Sequence, residues 1–160
     1  IGEGVFMIEI LEPTDLVVRI EFEKAGYTLP ESARFMNRGI DFALSMFDYT
    51  PIPIEEVQSN YFIKKQIVLE NESVKEFEIF NPSITNCFRM NRLEVNGVHT
   101  LIKGGFYIVI VTEGEGKISS GENCYNVKFG DKFFVPALTD SINLESNTSM
   151  ELILAMPPEI

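Results

Sequence analysis

The sequence predicts an all-β fold, a jelly-roll sandwich or barrel with one or two short helices confined to residues 30–60. Three observations carry this. After Tyr61, short β-type segments follow one another almost without interruption. The turn dipeptides Asn96-Gly97, Gly104-Gly105, Ser120-Gly121 and Gly130-Asp131 separate them, at the roughly 8–12-residue spacing typical of sandwiches and barrels. Only between Pro30 and Asn60 does the apolar spacing become helical.

Taken in order, residues 5–23 alternate apolar runs with charges around Pro13, Thr14 and Asp15, which predicts a hairpin. Ile40, Ala43, Leu44 and Phe47 then recur at helical spacing behind an Asn37 cap, and Pro51 and Pro53 end that pattern. A second helical turn is expected around residues 54–58. Strands are expected at 62–70, 74–80, 87–95, 106–112, 116–119, 125–128, 132–135, 141–145 and 150–155. Many short strands with regular turns are most commonly closed as a jelly roll.

Composition narrows the function. A chain of 160 residues with 45% hydrophobic residues is the size of one domain with a real core, so residues 1–160 are read as a single domain. The longest apolar run, 106–111, is far short of the roughly 20 residues that a membrane helix needs. Thirteen basic against 24 acidic residues give a net charge of −11, which repels phosphate backbones and anionic lipid. Neither nucleic acid nor a membrane is therefore expected as a partner. Cys87 and Cys124 are far apart and lack metal-type spacing, so they read as reduced core thiols in a cytoplasmic protein. The chain runs from Ile1 almost at once into the apolar stretch 5–11, with no initiator Met or signal peptide. This predicts the C-terminal part of a longer protein.

The stretch from Gly105 to Pro157 has the grammar of a cupin, a small jelly-roll barrel. Gly130 and Pro136 keep the glycine–proline spacing of the second cupin motif, and Gly114-Glu115-Gly116 resembles the turn closing the first. Leu138 and Ser141 stand where that motif has a glycine and a metal-binding histidine, and no His-x-His pair occurs upstream of Tyr107. No N, O or S donor set with metal spacing is present in this stretch, so this half reads as a metal-free structural cupin. His99, the sole histidine, follows Asn96-Gly97 and reads as a surface turn residue. Lys64-Lys65, Arg89 and Arg92 alternate with apolar residues and read as a solvated sheet face.

The sharper pattern is Glu9-Ile10-Leu11-Glu12-Pro13-Thr14-Asp15-Leu16-Val17-Val18-Arg19. It resembles the end of the active site of type I mannose-6-phosphate isomerases, zinc-dependent cupins also called phosphomannose isomerases. Glu9 matches the family's strand glutamate, Asp15 its turn aspartate and Arg19 the arginine that faces the sugar. The resemblance implies that residues 1–23 end the catalytic cupin and residues 61–157 form the C-terminal cupin. It places the zinc ligands upstream of Ile1, so zinc would belong to the full-length protein and none would be bound by this chain alone. The remainder of the polypeptide would be its partner, a sugar phosphate its small-molecule partner, and a homodimer is a further expectation. Moving a carbonyl between C1 and C2 passes through an enediolate, whose charge a zinc ion and a guanidinium stabilise. Arg19 would supply fixed positive charge, while Glu9 would relay a proton or orient water. A Glu–Arg pair across a hairpin is also a common surface feature of little energetic weight. The alternative function is a non-catalytic, metal-free cupin module for sugar binding or dimerisation.

Overall fold

The computed structural model describes residues 3–11 and 17–158. They fall into two compact units, 1–62 and 63–160.

In the first unit, β1 (Glu23–Lys24) pairs antiparallel with β2 (Tyr27–Thr28). Ala25 and Gly26 between them both have positive φ, 52° and 81°, the conformation whose twist suits a two-residue hairpin. Two 3₁₀ turns, Glu31–Ala33 and Phe35–Asn37, lead to α1 (Ile40–Leu44) and then α2 (Ile54–Tyr61). Both predicted helices are thus present, but Asn37 does not cap the first. It lies within a 3₁₀ turn at φ 57°, and Gly39, whose φ of 83° other residues adopt at a cost, holds the cap position. Pro53 sets the entry to α2 at φ −57°, and Glu55 and Glu56 lie in the first turn, where the helix dipole favours negative charge.

The hairpin expected over residues 5–23 is not formed by the described residues. Segments 5–11 and 17–22 carry no strand, and the predicted turn residues Pro13, Thr14 and Asp15 lie outside the described residues. A strand requires a neighbouring ladder for its N–H and C=O groups and a surface for its apolar face. Val5, Phe6, Met7, Leu11, Val17 and Ile20 all remain exposed. Alternation alone was therefore insufficient to fix strands there.

The second unit is a seven-stranded sheet with the path β3-β4-β5-β9-β6-β7, and β8 pairs with β6 beside that path. The strands are β3 (Gln66–Glu70), β4 (Val74–Phe80), β5 (Arg89–Leu101), β6 (Tyr107–Ser120), β7 (Asn123–Lys128), β8 (Lys132–Val135) and β9 (Ile142–Met156). All pairings are antiparallel, and the sheet is not closed into a barrel. One core cluster joins Leu93 and Val95 of β5, Val109, Val111 and Ile118 of β6, Val127 of β7, Val135 of β8, and Leu144, Met150, Leu152 and Leu154 of β9. The jelly-roll reading holds.

Three strands are longer than expected, and in two of them, β5 and β6, glycine makes bulges where turns were predicted. Gly97, at φ 119°, lies inside β5, and the ladder with β9 shifts register between Val95 and Gly97 before continuing to Leu101. The segments 106–112 and 116–119 merge into β6, whose register against β9 shifts twice between Val111 and Lys117. Gly114-Glu115-Gly116 is therefore a kink within a strand. Likewise 141–145 and 150–155 merge into β9. Cys87 and Cys124 are free, as read, but both are exposed, which corrects their assignment to the core. No helix among the described residues is long and apolar enough to cross a membrane.

Leu93 and Leu152 are fully buried partners in the β5–β9 register. Truncating either to alanine is expected to cost about 2–5 kcal/mol, read as a lowered urea midpoint with an unchanged m-value.

Candidate functional site

Arg19 and Glu9 both carry exposed side chains on segments without regular structure. Arg19 lines an open cavity of about 400 Å³ with Glu21, Ala25, Tyr27 and Leu29. Its carbonyl accepts a hydrogen bond from the Phe35 amide at 3.4 Å, which ties the arginine's backbone to the following 3₁₀ turn. Arg34 reinforces the same stretch: its guanidinium lies 4.5 Å from the Phe35 ring centroid and 5.5 Å from that of Phe22, and it donates to the Ile20 carbonyl at 3.0 Å. Glu9 is not part of this cavity's described lining. The cavity therefore offers one cation, Arg19, and one carboxylate, Glu21, over a tyrosine face.

A second constellation, absent from the sequence reading, lies in the second unit. The β4–β5 register sets Glu76 beside Leu93 and Glu78 beside Asn91. Alternation along β4 and β5 then turns Val74, Glu76, Asn91, Leu93 and Val95 to the buried side. Glu76 is only 4% exposed, yet it is paired: Lys103 Nζ lies 2.6 Å from its Oε1, and Asn91 Nδ2 donates to the same oxygen. A buried carboxylate without such partners would cost several kcal/mol. Next to it Glu78 accepts from Asn81 Nδ2 at 2.8 Å, and Arg89 Nε donates to the Pro157 carbonyl at 3.1 Å. A cavity of about 230 Å³ opens here, lined by Val68, Glu78, Arg89, Asn91, Lys103, Gly104 and Met156.

His99 feels the same charges. Burial pushes its pKa below the usual histidine value, Glu76 opposes this, and Lys103 adds to it. A lowered folded-state pKa means that the folded protein binds fewer protons than the unfolded chain. Its stabilising contribution is present above the unfolded value of about 6.5 and is lost as pH falls through the lowered folded value. Urea midpoints of the parent are accordingly expected to drop on acidification below about pH 6.5 more steeply than those of His99→Gln. Equal slopes would show that His99 is not the group responsible.

Arg89 and Arg92, read together as a solvated face, part company. Arg92 ion-pairs with Glu94 and, at 2.7 Å, with Glu151, and lies 5.3 Å from the Phe77 ring centroid. Arg89 lines the cavity. Among the described residues no three His, Cys, Asp or Glu side chains come together as a metal site. The described residues do not fit a zinc ion.

The antiparallel sheet of the second unit has the fold of a cupin-type jelly roll. Residues 79–157 match the family model described as "Mannose-6-phosphate isomerase, cupin domain". Among solved structures, the chain resembles the polyketide cyclase RemF from Streptomyces resistomycificus, with a TM-score of 0.51 and 15% identity over 61% of this chain and 75% of that one. It resembles ectoine synthase from P. lautus with a TM-score of 0.50 and 17% identity over 69% and 79%. It also resembles the mannose 6-phosphate isomerase from Bacillus subtilis, with a TM-score of 0.50 and 19% identity over 59% of this chain. That match spans 28% of the isomerase's length. At these identities the likeness concerns the fold. No curated protein sequence matches the chain.

Proposed function

We propose that this chain is the C-terminal portion of a zinc-dependent aldose–ketose isomerase that interconverts mannose 6-phosphate and fructose 6-phosphate, with the metal ligands upstream of Ile1. The observation that carries this reading is the match of residues 79–157 to the mannose-6-phosphate isomerase cupin domain. The Glu9-to-Arg19 pattern supports it, as does the exposure of Arg19 on an open cavity.

Removal of a proton from C2 of the aldose leaves an enediolate whose single negative charge moves between the C1 and C2 oxygens as the hydroxyl proton passes from one to the other, and return of a proton to C1 completes the ketose. A guanidinium held beside these oxygens stabilises that charge without needing to be reoriented as it develops. Arg19 is assigned this role. Glu9, on the preceding segment, is assigned proton relay or the orientation of water.

In a coupled assay, the protein with its upstream sequence should convert mannose 6-phosphate to fructose 6-phosphate, whereas residues 1–160 alone should not. Activity of the isolated chain would overturn the assignment of metal ligands to the upstream part. A longer protein inactive on every phosphosugar tried would favour the second reading, a non-catalytic cupin module. The paired polar groups around Glu76 within the cupin unit are the observation on that side.

A further inference from the structure

We propose that the pocket between β4, β5 and the end of β9 binds a neutral, polyhydroxylated compound of monosaccharide size. The site is distinct from the one built around Arg19, since all its residues belong to the second unit. Its charges identify the ligand class. The lining holds Lys103, Arg89 and Glu78; Lys103 is neutralised by its ion pair with the buried Glu76 outside the lining, and Glu78 opposes Arg89, so little charge is left to hold an anion, and the chain's overall charge of −11 opposes one further. A cation would meet the Lys103 ammonium and the Arg89 guanidinium.

What the lining offers instead is alternation. The Glu78 carboxylate accepts, while the Asn91 amide, the Lys103 ammonium and the Arg89 guanidinium donate, all around one space. A hydroxyl both donates and accepts, so adjacent hydroxyls on one carbon chain satisfy such a lining where a single-function ligand leaves groups unpaired. Val68 and Met156 add apolar surface for the C–H face. The volume of about 230 Å³ is below the roughly 300–1,000 Å³ of drug-sized sites, which selects a small ligand.

Buried charge makes the site more than a surface groove. Glu76, Asn91 and Lys103 are held by one another, so the donors are already oriented before a ligand arrives, and binding need not order them. A ligand of about a dozen heavy atoms at modest efficiency reaches a dissociation constant on the order of millimolar.

Isothermal titration of residues 1–160 with mannitol, and separately with inorganic phosphate, tests this. Mannitol should bind saturably and phosphate should not. The double variant Glu76→Gln with Lys103→Met removes both charges of the ion pair together, and Glu78→Gln removes one half-buried acceptor. Each variant is checked for an unchanged circular dichroism spectrum. Mannitol affinity should fall about tenfold or more in at least the folded variant of the two, the loss expected for one or two hydrogen bonds to charged groups. Absence of saturable mannitol binding, tighter binding of phosphate, or unchanged affinity in a folded variant would each overturn the proposal.

Discussion

Replacing Arg19 by alanine in the protein that carries its upstream residues should lower kcat for mannose 6-phosphate by about 10²- to 10³-fold, the usual loss when one preorganised charge stabiliser is removed. Zinc content should stay unchanged, because the guanidinium is assigned to the sugar's developing charge and not to the metal. If the interaction is made only in the transition state, kcat and kcat/KM should fall together. Fold effects should be small, since Arg19 is exposed and its structural tie runs through its backbone carbonyl. Glu9→Gln should also impair turnover, by less if its carboxylate merely positions the arginine. An Arg19→Ala protein with normal turnover would leave the pair as a surface feature.

The largest expected effect on stability belongs to Gly114→Ala. Gly114 has φ +73°, and a Cβ there would stand 2.1 Å from the Ser149 carbonyl oxygen and 3.2 Å from Met150 Cα. Both neighbours are backbone of β9, so no side chain can rotate away. The substitution forces β6 off β9 at the kink that allows β6 to pair with β8 and β9 in one half and with β7 and β9 in the other. A loss of more than about 3 kcal/mol, or of cooperative folding altogether, is expected. Gly130→Ala is the control. Its φ is +88°, but nothing lies within 4 Å of the added Cβ, so only the backbone cost of about 1–2 kcal/mol applies. Urea unfolding followed by circular dichroism compares the two. Equal destabilisation would show that conformation, and not the close approach, sets the cost.

Gly114 also shows what could be read in the sequence and what could not. The glycines were legible as special backbone positions, but a bulge and a turn demand the same positive φ. Only the partner strand decides between them, and that partner, residues 145–150, lies some thirty positions away. Thus the strands after Tyr61 and the two helices were legible, whereas the absence of strands at 5–11 and 17–22 and the merging of segments into β5, β6 and β9 were not.

The pocket was hidden for a related reason. In β4, Phe77 and Ile79 alternate with Glu76 and Glu78, so the apolar pattern points the carboxylates outward. The structure does the reverse for Glu76, because Asn91 and Lys103 supply partners across strand and loop. Phe77 in turn is covered by Lys65 at 5.2 Å, Lys75 at 5.5 Å and Arg92 at 5.3 Å from its ring centroid. Such pairing is long-range and leaves no local trace. Lys103 beside Gly104-Gly105 was the one visible hint of a charged side chain held at a loop.

The central claim, aldose–ketose isomerisation through an enediolate, is tested most directly by proton NMR of mannose 6-phosphate incubated with the full protein in D₂O. The proton taken from C2 is returned to C1 in competition with exchange into solvent, so the account predicts fructose 6-phosphate of which a fraction carries deuterium at C1. Failure to form any ketose would contradict it.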